Sequence, residues 1–232
     1  FDYRIKPEEK PRYTVLAVGG IAAWVVFDTK TQSDMAQFFE KEDYAAEAAA
    51  KSNGWSLLSD SSWPGYSEMP LRVMEGYLQM AAEAVAQVPQ PPTHILLQAG
   101  VGGLAAAFAA HARRAWGDGP HIIVVEPAAA PALIESIRAG KIVDTTGPVS
   151  NMGRLDCKTP SQIALAGLAR DADTFVTIAE EDAEAALPRL AEQGLASTPS
   201  GAAGLVALFS GLPMIDADAR VLAILSEGPE DA

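Results

Sequence analysis

Two spacings of apolar residues alternate along this chain. Short runs rich in Val, Ile and Leu recur, and between them lie stretches whose apolar residues return every three or four positions. The first pattern suits buried strands and the second amphipathic helices. Strands are predicted over Tyr13–Val18, Ala23–Phe27, Trp55–Leu58, Thr93–Gln98, His121–Val125, Thr174–Ile178 and Val221–Leu225. Helices are predicted over Gln32–Ser52, Pro70–Val88, Leu104–Ala115, Pro131–Ala139, Ser161–Ala169, Glu180–Gln193 and Ser200–Ser210. Within Pro70–Val88, the residues Leu71, Met74, Leu78 and Ala82 share one face. Phe1–Arg12 is charged and interrupted by proline, and Lys141–Pro160 is irregular. This order predicts an α/β fold, a mostly parallel sheet with helices on both faces.

In such sheets ligands sit beyond the carboxyl ends of the strands. Four groups of residues fall at strand ends or helix starts: Asp60, Gly100–Gly103, Ser200-Gly201 and Ser226-Glu227-Gly228. The second is the most informative. The β-type run Thr93–Gln98 meets Gly100, Val101, Gly102 and Gly103, and an alanine-rich helix follows at once. Glycines let the backbone take positive φ and approach a ligand closely. The helix start adds unpaired N–H donors and the positive end of a dipole, so the turn suits an anion, most often a phosphate. A plain packing turn is the competing reading of the same residues.

Composition narrows the function classes. A formal charge of −13, with no Lys/Arg-rich run to offset it, argues against a nucleic-acid or anionic-membrane surface. Any anionic ligand must therefore be met by local backbone donors. The single Cys157 excludes an internal disulfide framework and fits a reducing, cytoplasmic compartment. No run of about 18 apolar residues and no signal-peptide pattern is present.

Several motifs together carry a resemblance. Asp60-Ser61-Ser62-Trp63-Pro64-Gly65-Tyr66 resembles the D-T-[AS]-[WY]-x-G-Y segment of diaminopropionate ammonia-lyases, and Met74-Glu75-Gly76-Tyr77 resembles their M-Q-G-Y. Pro92–Gly102 is similar to the family's P-T-H-[VI]-L-L-Q-A-G-V-G. Val125-Glu126-Pro127, Leu155-Asp156-Cys157-Lys158, Ser200–Leu205 and Ser226-Glu227-Gly228 follow in the family's order, so the match runs from about Asp43 to Asp231. The wider group is the fold type II pyridoxal-phosphate enzymes, tryptophan synthase β-like, which include threonine dehydratase.

The resemblance implies pyridoxal 5'-phosphate as cofactor, a small amino acid as substrate, α,β-elimination releasing pyruvate and ammonia, and a homodimer. It implies a cofactor phosphate on Gly100, Val101, Gly102 and Gly103, and Gly102→Asp is then expected to abolish binding with the fold retained. Ser200 is implied to face the pyridine nitrogen; a helix N-cap is the other reading of that serine. Asp60 is implied as an acid/base group near the substrate, against a turn-capping aspartate. Glu126 and Glu227 read either as orienting groups or as ordinary strand-end acids, and His94, His111 and His121 as structural. The resemblance divides the chain into residues 1–53, an arm and part of a small domain, and residues 54–232, the large cofactor-binding domain. A threonine or hydroxyaspartate dehydratase, or a non-catalytic phosphate-binding chain, are the rival readings.

One departure stands out. The family carries its Schiff-base lysine in an S-F-K or A-F-K segment and an Asn in a G-N-H-G turn, and neither occurs here. The seven lysines lie in other contexts, so residues 1–232 alone are expected to be catalytically silent.

Overall fold

The computed structural model describes residues 13–18, 23–28, 50–51, 53–54 and 56–229. Six strands form one sheet in the order β1-β2-β6-β3-β4-β5. They are β1 (Tyr13–Val18), β2 (Ala23–Asp28), β3 (His94–Gln98), β4 (His121–Pro127), β5 (Thr174–Ile178) and β6 (Val221–Leu225). Only β1 runs antiparallel to its neighbour; β2, β6, β3, β4 and β5 are mutually parallel. The helices are α1 (Glu68–Gln87), α2 (Gly103–Trp116), α3 (Ala132–Ala139), α4 (Gln162–Asp171), α5 (Glu180–Glu192) and α6 (Pro199–Ser210), with a single 3-10 turn at Gly153–Leu155.

Continuous apolar runs form the central strands because both sheet faces are covered. Successive side chains point to opposite faces. Leu96, Ile123, Val125, Val221, Ala223 and Leu225 join one core with residues of α5 and α6. Ile95, Leu97, Ile122, Val124, Leu222 and Ile224 join a second core with residues of α1, α2 and α4. The parallel register brings the carboxyl ends of β3, β4 and β6 to the same rim. From there the chain leaves each strand through Gly100, Ala128 or Ser226.

Two expectations are corrected. Residues 56–59 form no strand. Their backbone is served by a side chain instead of a neighbouring strand: Tyr66 Oη donates to Leu57 O at 3.0 Å and accepts Ser59 N–H at 3.0 Å. The face of α1 also differs. Leu71 and Leu78 are 48% and 37% exposed, while Met80, Ala81 and Ala84 are buried against the alanines of α2. Met74 of the expected face still packs against this core, so only part of that face is turned to solvent. Of the helix expected over 32–52, the described residues 50 and 51 are helical and the remainder lies outside the described residues.

Candidate functional site

The turn after β3 has the geometry of an anion cradle. Gly102 is the N-cap of α2 with φ of 99°, a left-handed conformation that favours glycine. The amides of Val101, Gly102, Gly103 and Leu104 have no acceptor among the described residues. They are the orphan donors of a helix start, at the positive end of its dipole. Protein atoms fill the side-chain directions of the loop. A Cβ at Gly100 would lie 2.9 Å from Cys157 Sγ and 3.0 Å from Arg154 O, and one at Gly102 would lie 3.2 Å from Leu133. Gly102→Asp would thus strain the backbone and crowd Leu133, so the expected retention of the fold does not hold at this position. Gly103 differs: its Cβ would meet only Met74 Cγ, at an ordinary 3.6 Å.

Gln98, two residues before Gly100, ties this turn to the rest of the rim. Its Nε2 lies 3.0 Å from Gly201 O, 3.2 Å from Ile224 O and 3.0 Å from Ser226 Oγ. Its buried Oε1 has no hydrogen-bond partner among the described residues and lies 3.3 Å from where a Cβ on Gly204 would sit. One amide thereby joins the end of β3, the start of α6 and the end of β6.

Ser200 is buried in the first turn of α6, and it is not the cap. Thr198 is the N-cap, and its Oγ1 accepts Gly201 N–H at 3.0 Å. Ser200 Oγ instead accepts Arg154 N–H at 3.1 Å, which leaves its proton free to donate elsewhere. Glu227 braces the same corner: its carboxylate accepts from the Thr198 hydroxyl and pairs with Arg154 Nη1 at 2.9 Å. Gly201 has no room for a side chain, because a Cβ would lie 2.7 Å from Glu227 Cβ.

Asp60 opens a tight turn in which Trp63 and Tyr66 pair by backbone hydrogen bonds and stack at a ring separation of 4.3 Å. The carboxylate is half-buried. Tyr77 of α1 shares this neighbourhood, one turn after the Met74 that faces Gly103. Burial, then the negative charges of Asp60 and Glu227, push the Tyr77 phenol up to about 12, so it keeps its proton. Tyr77 is the residue the sequence reading missed. The signal was present, because it closes the Met74-Glu75-Gly76-Tyr77 segment.

Glu126, fully buried at the end of β4, caps α3: its two oxygens accept Leu133 N–H at 2.7 Å and Ile134 N–H at 2.8 Å. That supports the reading of an ordinary strand-end acid. Burial raises its carboxyl to about 7 against the pull of those two amides. His94 and His121 lie at the amino ends of β3 and β4, the opposite rim, with rings 5.8 Å apart. Lysines among the described residues are Lys51 and Lys141, both exposed, and Lys158, which is buried. The Lys158 ammonium donates to Ala129 O at 2.8 Å, to Pro148 O at 2.9 Å and to the Asp156 carboxylate, so all three of its protons are engaged. No group of three or more His, Cys, Asp or Glu is placed to hold a metal among the described residues. No helix among them is long and apolar enough to cross a membrane.

An amide cradle and a serine hydroxyl at neighbouring strand ends of a parallel sheet suit a phosphorylated aromatic cofactor. The chain belongs to a family of that kind: the model of the pyridoxal-phosphate dependent enzymes matches residues 14–227. More particularly, it is 32% identical over 205 residues to diaminopropionate ammonia-lyase of Escherichia coli K12, covering 78% of this chain and 51% of that relative. The corresponding Salmonella typhimurium enzyme is 33% identical over 210 residues, covering 79% and 52%. The chain spans about half the length of these curated relatives.

Solved structures agree. The Escherichia coli diaminopropionate ammonia lyase in complex with an aminoacrylate-PLP azomethine reaction intermediate superposes with a TM-score of 0.70 at 29% identity, over 80% of this chain and 52% of that one. The T.th. threonine deaminase gives 0.68 at 25% identity, over 80% and 66%. The architecture is therefore that of the fold type II enzymes.

Proposed function

We propose that this chain carries the cofactor-binding half of an ammonia-lyase that eliminates the β-substituent of 2,3-diaminopropionate or a similar amino acid. The observation that carries this reading is the row of unpartnered amides from Val101 to Leu104 facing the same rim as Ser200. Pyridoxal phosphate, when bound, supplies the electron sink for breaking bonds at the amino acid's α-carbon. The loop amides at Gly100, Val101, Gly102 and Gly103 hold the phosphate. Ser200, whose oxygen accepts Arg154 N–H, has its proton available and would donate it in a hydrogen bond to the pyridine nitrogen; a neutral hydroxyl would not stabilise a full charge there. Asp60 takes or returns a proton at the substrate α-carbon, and the neighbouring Tyr77 phenol stays protonated and able to donate. Similarity to the lyases named above supports the choice of substrate class.

Gly103→Asp tests the phosphate site. A Cβ there makes only an ordinary contact with Met74, and an acid in the first turn of α2 favours the helix dipole. Its charge would compete with the phosphate. Equilibrium dialysis is expected to show at least a ~10-fold loss of pyridoxal-phosphate affinity, about 1.4 kcal/mol, with the melting temperature unchanged or raised. Gly103→Ala, the uncharged control, is expected to bind as the parent does. Equal affinity in the Asp variant would refute the phosphate site.

A further inference from the structure

The turn that carries Asp60 and the loop that cradles the anion are far apart in sequence, yet a pair of buried serines joins them. Ser161, fully buried, donates its N–H to Val101 O at 3.0 Å, inside the glycine loop. Its Oγ accepts Ser62 N–H at 3.0 Å and lies 2.8 Å from Ser62 Oγ. Ser62, also buried, sits two residues after Asp60. Its Oγ accepts Ile163 N–H at 2.9 Å and its carbonyl accepts Gln162 N–H at 3.0 Å, so it closes the start of α4 from outside the helix. The two bonds between Ser62 and Ser161 are buried, where a lost partner is costly.

On the opposite flank of the turn, the Trp63–Tyr66 stack and the Tyr66 hydroxyl leave the segment little freedom of its own. The turn therefore moves with whatever holds Ser62. That is Ser161 together with the first amides of α4, and Ser161 in turn holds Val101.

We propose that Ser62 and Ser161 are positioning residues that make the Asp60 turn and the glycine loop one mechanical unit, so that a phosphate group held by the loop also orders Asp60. The proposal rests on the phosphate reading of the loop given above. It adds that the acid/base turn and the cofactor site are coupled through this serine pair and not merely adjacent.

Hydrogen–deuterium exchange on the full 232-residue chain tests it, with pyridoxal 5'-phosphate as one probe and inorganic phosphate as the other. If opening the turn requires opening the loop, bound anion slows both by the same factor, ~10-fold at ~10 times Kd. In Ser161→Ala, which removes the acceptor of Ser62 N–H, the loop is expected to keep its protection while the 59–66 peptide loses its ligand-dependent slowing; Ser62→Ala, which keeps its N–H on Ser161 Oγ, is expected to lose part of it. A merely structural role would speed exchange of the turn equally with and without ligand, leaving that difference untouched. Both variants keep the backbone Ser161 N–H on Val101; Ser62→Ala, which loses its Oγ bonds to Ser161 and Ile163, carries the test where Ser161→Ala fails to fold, and a smaller ligand-dependent slowing of the turn than in the parent then supports the coupling. A parent that protects the loop and not the turn overturns the coupling alone, as does full protection of the turn in Ser161→Ala, or in Ser62→Ala where Ser161→Ala does not fold. Protection by inorganic phosphate without uptake of pyridoxal phosphate upholds the coupling and overturns the cofactor reading. A parent that takes up neither probe overturns both.

Discussion

Glu126 illustrates how one residue carries two meanings until folding selects between them. Its position at a strand end suited either an orienting group or an ordinary strand-end acid, and both oxygens are spent on the first turn of α3. Burial outweighs those two bonds and lifts its carboxyl from 4.5 to about 7. A raised folded value means that the native state holds the proton more tightly than the unfolded chain. Stability contributed by this group is therefore complete below pH 4.5 and falls as pH rises towards 7, by an amount on the order of 3 kcal/mol. Glu126→Gln cannot titrate, so its stability relative to the parent is expected to improve steadily across that window. Urea midpoints at pH 4.5, 5.5 and 7 report it. A constant difference would mean that the two amide bonds cancel the effect of burial, so that Glu126 titrates alike in the folded and unfolded states. Ser200 makes the complementary point. Its sequence context fits a helix cap, but Thr198 two residues earlier takes that role and leaves the Ser200 proton for another acceptor.

Among the elements, α5 breaks a local rule. Pro188 lies inside Glu180–Glu192, exposed, where a backbone N–H should bond back to Glu184 O. No buried packing offsets the missing bond or the ring's clash with the preceding turn. Pro188→Ala is expected to stabilise the protein by about 2 kcal/mol after the greater freedom of the unfolded chain is subtracted. Calorimetry would register this as a rise of roughly 4–8 °C in Tm. An unchanged or lowered Tm would mean that α5 needs the proline kink to place Ala183, Ala186 and Leu190 in the core. Helix α1 shows why element faces are harder to read than element spans. Leu71 and Leu78 of the shared face stay exposed, while Met74 of that face packs against the core that buries Met80, Ala81 and Ala84.

At the scale of the whole molecule, the site is assembled without a lysine among the described residues that is free to react within it. Lys51 and Lys141 face solvent, and Lys158 has all three protons engaged by the protein. The chain is therefore expected to take up pyridoxal phosphate yet release no pyruvate from 2,3-diaminopropionate. Borohydride treatment followed by peptide mapping is expected to leave Lys51, Lys141 and Lys158 unlabelled. Turnover together with a phosphopyridoxyl label on any of the three would overturn this assignment.

Short-range physics made much of this legible in advance. An apolar run such as Val221–Leu225 suits a buried strand, Thr174–Ile178 suits a strand at the sheet edge, and a β-run entering Gly100-Val101-Gly102-Gly103 before an alanine-rich helix can hardly avoid a sharp turn with exposed amides. Those are consequences of backbone sterics and of apolar burial, which act within a few residues. Tertiary structure decided whatever depends on partners distant in the chain. It made Tyr66, through its hydroxyl, replace a strand at residues 56–59, turned Glu126 into the cap of α3, and gave the cap of α6 to Thr198. It also placed Ser161 between Val101 and Ser62, nearly a hundred residues away. A hydrogen bond requires its two atoms within about 3 Å, and only the folded chain determines which pairs come that close.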